Sequence, residues 1–113
     1  MRGPVRLSRK LVLEAATLQP DNAGGFTQTW AVLGSLWADI RPGAGRLREN
    51  VAVNMSSVPY RVIVRAAASG AQSRPKPGQR FREQSRVFMI EAVAEGDPDG
   101  MYLECFTKEE VLA

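Results

Sequence analysis

The clearest hydrophobic pattern in the chain is a strict alternation of apolar and polar residues that ends at Pro42. One side of an extended backbone carries the apolar residues Leu36, Ala38 and Ile40, and the other side carries Trp37, Asp39 and Arg41. A period of two is typical of a half-buried β-strand. Pro42 and Gly43 end the strand, because proline cannot donate to a strand ladder and glycine turns readily. Residues 26–34 are predicted to approach this strand in extended form, with a bend or bulge at Gly34.

Further stretches with strand patterns are bounded by turn-forming residues. They are residues 6–16, 58–66, 79–84, 86–94 and 101–106. The stretch 86–94 is almost continuously apolar, which predicts a strand covered on both faces. Gln84 and Ser85 occupy the position of a tight hairpin turn, and residues 95–100 are the strongest turn signal in the chain. Thr107 is placed to cap a final helical turn, with Glu110 three residues later.

These elements predict an all-β fold of about six strands in a single domain, residues 1–113. A small barrel and a two-sheet sandwich both fit the pattern, and closure into a barrel is attractive because it hides strand edges. The predicted core takes the inward position of each alternation: Leu11, Leu13, Leu36, Ile40, Val62, Val64, Phe88, Ile90, Leu103 and Cys105. A long loop of small and polar residues, 43–59, separates the second strand from the third. Connections of this length in a small domain are usually functional or disordered.

The net charge of +3 is unevenly distributed along the chain. Residues 41–86 carry ten basic and two acidic side chains, whereas residues 87–113 carry one basic and seven acidic side chains. This polarity suits a path for nucleic acid or association between unlike faces of neighbouring copies, and solvated strand edges are the alternative explanation.

The residue types needed for most catalytic and metal sites are missing from the sequence. The chain has no histidine and one cysteine, Cys105, which excludes Cys/His zinc sites and histidine-based triads. Cys105 lies in an apolar alternation and is predicted to be a buried structural thiol. Asp97 and Asp99 lack the ligand series of a calcium loop, so they are expected to be solvated turn residues. We predict no enzyme activity, no cofactor and no metal. No apolar run approaches ~20 residues, and residues 1–6 lack the apolar core of a secretory signal, so we expect neither a membrane span nor secretion.

The order and spacing of several segments resemble a known family. The first half carries Lys10-Leu11, a glycine-containing turn, Thr29-Trp30, and Leu36-Trp37-Ala38-Asp39-Ile40 followed by Pro42 and Gly45. The second half carries Val62-Ile63-Val64-Arg65, Gly78-Gln79-Arg80-Phe81, Arg86-Val87-Phe88-Met89-Ile90-Glu91-Ala92-Val93 and Leu103-Glu104-Cys105. Together they resemble the phage head–tail joining proteins, which are the head-closure or stopper connectors of long-tailed phages and gene transfer agents. The resemblance spans residues 7–107. It departs from the family pattern at Ser85, where glycine is common, and in the composition of the linker 67–78.

The resemblance implies a small β-barrel that forms a homo-oligomeric ring in the neck of a virion, after synthesis in the host cytoplasm. The ring would join the portal-bound adaptor protein to the tail terminator or tail tube protein. It would continue the channel through which double-stranded DNA passes, without catalysis. The loop 43–59 would project toward the lumen and gate the exit of DNA.

The candidate site residues form two groups. The channel-loop group is Arg46, Arg48, Glu49, Val51, Val53 and Met55. Its two arginines suit contacts to phosphates that are independent of base sequence. Its three apolar residues alternate as in a short strand that pairs with a neighbouring loop. The group expected to contact subunits or partners is Trp30, Trp37, Arg65 and Arg80.

Two other functions fit the same composition less well. A tail-terminator or adaptor-type neck protein is one, although adaptors are expected to be mainly helical. A nucleic-acid-binding barrel of the OB type is the other, and it needs exposed aromatic residues along a basic groove. Only Tyr60 and Phe81 offer aromatic rings within the basic stretch, and both fall in apolar registers.

Overall fold

The chain folds into a closed antiparallel β-barrel in the computed structural model, which describes residues 3–43, 57–68 and 70–110. The strands are β1 Arg9–Pro20, β2 Phe26–Pro42, β3 Ser57–Arg65, β4 Arg80–Glu83, β5 Arg86–Glu95 and β6 Tyr102–Glu110. They form one sheet in the order β1-β2-β3-β6-β5-β4, and β4 returns to pair with β1. The predicted all-β fold is confirmed. Over the described ranges, no helix is long and apolar enough to cross a membrane.

The barrel interior is filled by the inward side chains of its strands, as the alternations predict. The buried core cluster is Leu11, Leu13, Ala38, Val62, Val64, Phe81, Phe88, Ile90, Leu103 and Cys105. Leu36 and Ile40 belong to the predicted core but are only partly buried, and they pack against the cluster from its margin. Full burial of an aliphatic or aromatic side chain of this size contributes roughly 1.5–3 kcal/mol, so this interior is the main source of stability.

The second strand is continuous from Phe26 to Pro42 and contains a β-bulge. Leu13 pairs with Gly34 and Glu14 pairs with Val32, so Leu33 is the extra residue on β2. Leu33 packs against the core. The bend predicted at Gly34 is therefore this bulge, which redirects the strand where it leaves the barrel.

Two predictions for the second half of the chain are wrong. Thr107 does not cap a helical turn, because it is a buried residue of β6 and its hydroxyl donates to the carbonyl oxygen of Tyr60 at 3.0 Å. Pairing with β3 and β5 carries β6 through to Glu110, and these ladders outweigh the local capping signal. The strand β5 is not covered on both faces, since Ala92 and Ala94 are exposed.

The predicted channel loop 43–59 is too long at its second end, because residues 57–59 belong to β3 and pair with β6. The two ends of the connection between β2 and β3 lie side by side. The Gly43 amide donates to the carbonyl oxygen of Pro59 at 3.0 Å, and a Cβ atom at Gly43 would stand 2.9 Å from the Pro59 backbone. Glycine is required there because β2 and the start of β3 approach so closely. The channel-loop candidates Arg46, Arg48, Glu49, Val51, Val53 and Met55 lie outside the described residues.

Candidate assembly surface

A two-stranded ribbon projects from the barrel at the connection between β1 and β2. We define the ribbon as residues 15–20 of β1 and 26–31 of β2, which pair with each other. On the side away from β2, β1 pairs with β4 only over Val12–Glu14. On the side away from β1, β2 pairs with β3 only over Ala38–Pro42. Within the described part of the chain, both outer edges of the ribbon therefore lack a neighbouring strand.

The ribbon has two chemically different faces, because successive residues of a strand point to opposite sides. The register places Ala16 opposite Trp30, Leu18 opposite Gln28 and Pro20 opposite Phe26. Five of these six residues are apolar, and we call this side of the ribbon the apolar face. The other side carries Thr17 opposite Thr29 and Gln19 opposite Thr27, and we call it the threonine face. The hydroxyl oxygens of Thr17 and Thr29 lie 2.7 Å apart in a hydrogen bond that ties the two strands together.

The apolar face is open to solvent and carries no charge. Leu18 is 68% exposed, Phe26 is 67% exposed, and Val32 just beyond the ribbon is 59% exposed. Neither residues 15–20 nor residues 22–38 include a charged side chain. Natural proteins usually protect a free strand edge with charges, prolines or a covering element. An uncharged open strand edge beside an exposed apolar face is typical of a surface that another protein covers.

A cation–π contact fixes the base of the ribbon to the barrel. The guanidinium carbon of Arg80 lies 4.0 Å from the centre of the Trp30 ring, and its Nε donates to Glu14 at 2.7 Å. Two of the predicted contact residues, Trp30 and Arg80, are thus neighbours. Arg80 also braces the tryptophan, so the ribbon leaves the barrel in a defined direction.

Arg80 belongs to an ion-pair network along the seam where β4 closes the barrel onto β1. This ladder has three residue pairs, Val12–Arg82, Leu13–Phe81 and Glu14–Arg80. The buried carboxylate of Glu14 accepts from Arg80 and also from Arg82, at 2.9 Å. Arg9 donates to Glu83 at 2.6 and 2.8 Å and adds a second bridge across the seam.

The charges of the seam control its acid sensitivity. Burial alone raises the pKa of Glu14, but the hydrogen bonds and charges of Arg80 and Arg82 outweigh it and hold that pKa below its ordinary value. The hydrogen bond from Arg9 lowers the pKa of Glu83 in the same way. Sequence reasoning did not find this network, because the partners are 66 to 74 residues apart.

Some basic residues from the middle of the chain form ion pairs with acidic residues from its end, across neighbouring strands. Arg61 on β3 pairs with Glu104 on β6 at 3.1 Å, and Arg86 on β5 pairs with Glu109 on β6 at 2.7 Å. Lys108 and Glu91 pair at 3.6 Å. These six side chains therefore have partners in their own chain, and a contact between unlike charged faces of neighbouring copies stays a prediction.

The other two predicted contact residues, Trp37 and Arg65, lie on a second surface. Trp37 is 55% exposed, and the guanidinium carbon of Arg65 lies 5.8 Å from the centre of the Tyr102 ring. Both residues line an open pocket of about 420 Å³, together with Leu7, Ser35 and Leu36. Trp37 is therefore a surface residue and not a core residue. The structure thus brings the four predicted contact residues together as two pairs and not as one cluster.

Comparison with protein-family models matches residues 3–110 to the phage head completion protein family. The chain belongs to this family. The resemblance found in the sequence is confirmed, and the chain is a head completion protein, a component of a virion. A solved chain from the virion of a native gene transfer agent particle is 45% identical, with a TM-score of 0.76 over 99% of this chain and 100% of that chain. The comparison with curated proteins finds no match.

The fold of this head completion protein also bears on the alternative functions. Phe81 lies in the core, and Tyr60 packs edge-on against Phe88 with ring centres 5.6 Å apart. Neither ring is therefore placed as an open platform for base stacking. The described residues contain strands and turns without a helix, which does not match the helical fold expected of an adaptor.

Proposed function

We propose that this head completion protein is a structural component of the virion neck that joins the DNA-filled head to the tail. In this proposal, copies of the chain form a ring between the portal-bound adaptor protein and the tail terminator or tail tube protein. The observation that carries the proposal is the family match over nearly the whole chain. The similarity to a chain of a gene transfer agent virion supports it.

The distribution of charge and apolar surface favours a structural role in assembly over catalysis. The buried seam and the paired arginines stabilise the barrel itself, whereas the ribbon carries no charge and exposes Leu18 and Phe26. Protein partners bind such a surface through apolar burial and strand pairing, whereas DNA needs unpaired cations. We propose no catalytic residue, cofactor or metal for this chain.

The ring is proposed to continue the DNA channel, and residues 43–56, which connect β2 to β3, are proposed to gate it. Gly43 and Pro59 hold the two ends of this segment together at the barrel. Arg46 and Arg48 would contact phosphates of passing DNA without reading its sequence. Val51, Val53 and Met55 would pair with neighbouring copies and narrow the lumen.

The neck role is tested by removing the chain from the particle. Assembly without the chain is expected to yield free tails and heads that do not join, and the heads should also lose DNA because the proposed gate is missing. Supplying the wild-type chain during assembly should restore joined, filled particles. Electron microscopy of negatively stained particles counts joined and separate forms. Joined particles at the wild-type frequency in the absence of the chain would contradict the proposal.

The gate is tested by shortening the segment within residues 46–56. The shortened chain is expected to fold and dock, because Gly43 and Pro59 are retained, but filled heads that lack tails should lose DNA. Nuclease sensitivity of the packaged DNA measures the loss. Retention of DNA equal to wild type would place the gate elsewhere and leave this segment as a docking arm.

A further inference from the structure

We propose that neighbouring copies of this chain pair edge to edge through the ribbon. The β1 edge of one copy, residues 15–20, would form a ladder with the β2 edge of the next copy, residues 26–31. This inference rests on the ring assembly in the proposed function, and it names the contact that builds the ring.

The first argument is that the ribbon is incomplete by itself. A two-stranded hairpin is marginally stable in water, and three or more strands with an apolar face are needed for independent stability. Here the two strands bear Leu18, Phe26 and Trp30 on one face, with no third strand beside them in the described part of the chain. Additional strands would complete the sheet.

The second argument is that repetition of this chain satisfies both edges at once. The two edges have the same length of six residues but different sequences, so their contact is heterologous. Heterologous contacts related by rotation close into rings. Because β1 and β2 run antiparallel, copies related by an axis along the strands would place β2 of one copy antiparallel to β1 of the next. A single foreign strand would leave one edge open.

The third argument is electrostatic. Charged side chains on an open strand edge, lysine above all, oppose pairing with a strand of another chain. The ribbon carries no charged side chain on either strand, although charged residues make up 24% of the chain. Neutral edges are therefore compatible with a second copy of the same chain.

The proposal is tested by disulfide cross-linking in assembled particles, between variants that each carry one introduced cysteine. One chain carries Thr17→Cys or Gln19→Cys, and a second chain carries Thr27→Cys or Thr29→Cys, all on the threonine face. Since the register between copies is not fixed by one chain, all four mixtures are oxidised. The natural Cys105 is fully buried and its thiol pKa is raised by burial to about 12, so it gives no background.

We expect at least one mixture to give a mixed disulfide dimer, while each variant alone gives little dimer. Ser85→Cys mixed with Thr29→Cys is the control, because Ser85 is exposed in the turn between β4 and β5. Absence of a mixed dimer in all four mixtures, with normal amounts of the chain in particles, would overturn edge pairing and leave the neck role standing. Dimers of single variants at equal yield would also overturn it, since they indicate a two-fold contact. Absence of the wild-type chain from the head–tail junction would instead contradict the proposed function.

Discussion

The strands β1 and β2 belong to the barrel over one part of their length and to the ribbon over the other, and the two parts differ in their charges and strand edges. In the barrel, β1 has a neighbour on each side over Val12–Glu14. Its Glu14 pairs with Arg80 and Arg82, and its Arg9 pairs with Glu83. From Ala15 to Pro20, the same strand has no charge and an open edge. The barrel is thus stabilised by contacts within one chain, whereas the ribbon is suited to contacts with another.

The largest expected difference between the two regions concerns matched phenylalanines. Phe88→Ala removes a fully buried ring and is expected to lower the free energy of unfolding by about 3–5 kcal/mol, because it leaves a cavity. Phe26→Ala on the ribbon should change it by less than about 0.5 kcal/mol, as is usual at the surface. Chemical denaturation of the purified chain measures both. Equal losses would mean that the ribbon is part of the folding core.

The next largest effect is expected at the seam. Glu14→Gln removes the buried negative charge between Arg80 and Arg82, and we expect a loss of about 2–3 kcal/mol, since both arginines keep some contact with water. The matched control is Glu91→Gln, whose half-exposed pair with Lys108 should contribute less than about 1 kcal/mol. Similar losses for the two variants, by chemical denaturation, would show that the seam has no special role.

The seam also predicts a direction for acid sensitivity. The folded pKa values of Glu14 and Glu83 lie below the ordinary value of 4.5. Their contribution to stability is therefore complete above that value and is lost as the pH falls through the lower folded pKa. Thermal unfolding measured against pH should show a decline below about pH 4.5, and the decline should be shallower in Glu14→Gln. A variant curve parallel to that of the wild type would contradict this assignment.

The smallest effect on stability, with a large effect on assembly, is expected on the ribbon edge. Gln28→Lys places a charge on an exposed residue, so the free energy of unfolding should stay within about 0.5 kcal/mol of the wild type. Incorporation into particles should fall, because lysine on an edge strand opposes pairing. The matched control, Gln84→Lys in the exposed turn between β4 and β5, should incorporate normally. Immunoblots of purified particles compare the two.

The sequence predicted the barrel well because its signals are local. Alternation at Leu36 to Arg41 and the turn formers around Asp97 are properties of neighbouring residues, and both are confirmed. The Asp97 side chain also stabilises this turn, because its carboxylate accepts hydrogen bonds from the backbone amides of Met101 and Tyr102.

The ribbon and the seam were not predictable in the same way. The sequence predicts a first strand that ends at residue 16, but pairing with residues 26–29 extends β1 to Pro20. The role of Glu14 depends on Arg80 and Arg82, which reach it only when the barrel closes. Local patterns specify strands, whereas the pairing of distant strands decides which charges meet and which edges remain open.

The most direct test of this account is a density map of the neck of the assembled particle, at a resolution that separates strands. We predict a ring of this chain between head and tail, with residues 15–20 of each copy paired to residues 26–31 of the next. A ring whose ribbons stand apart in solvent, or copies that meet through the barrel walls alone, would contradict the pairing of ribbons between neighbouring copies.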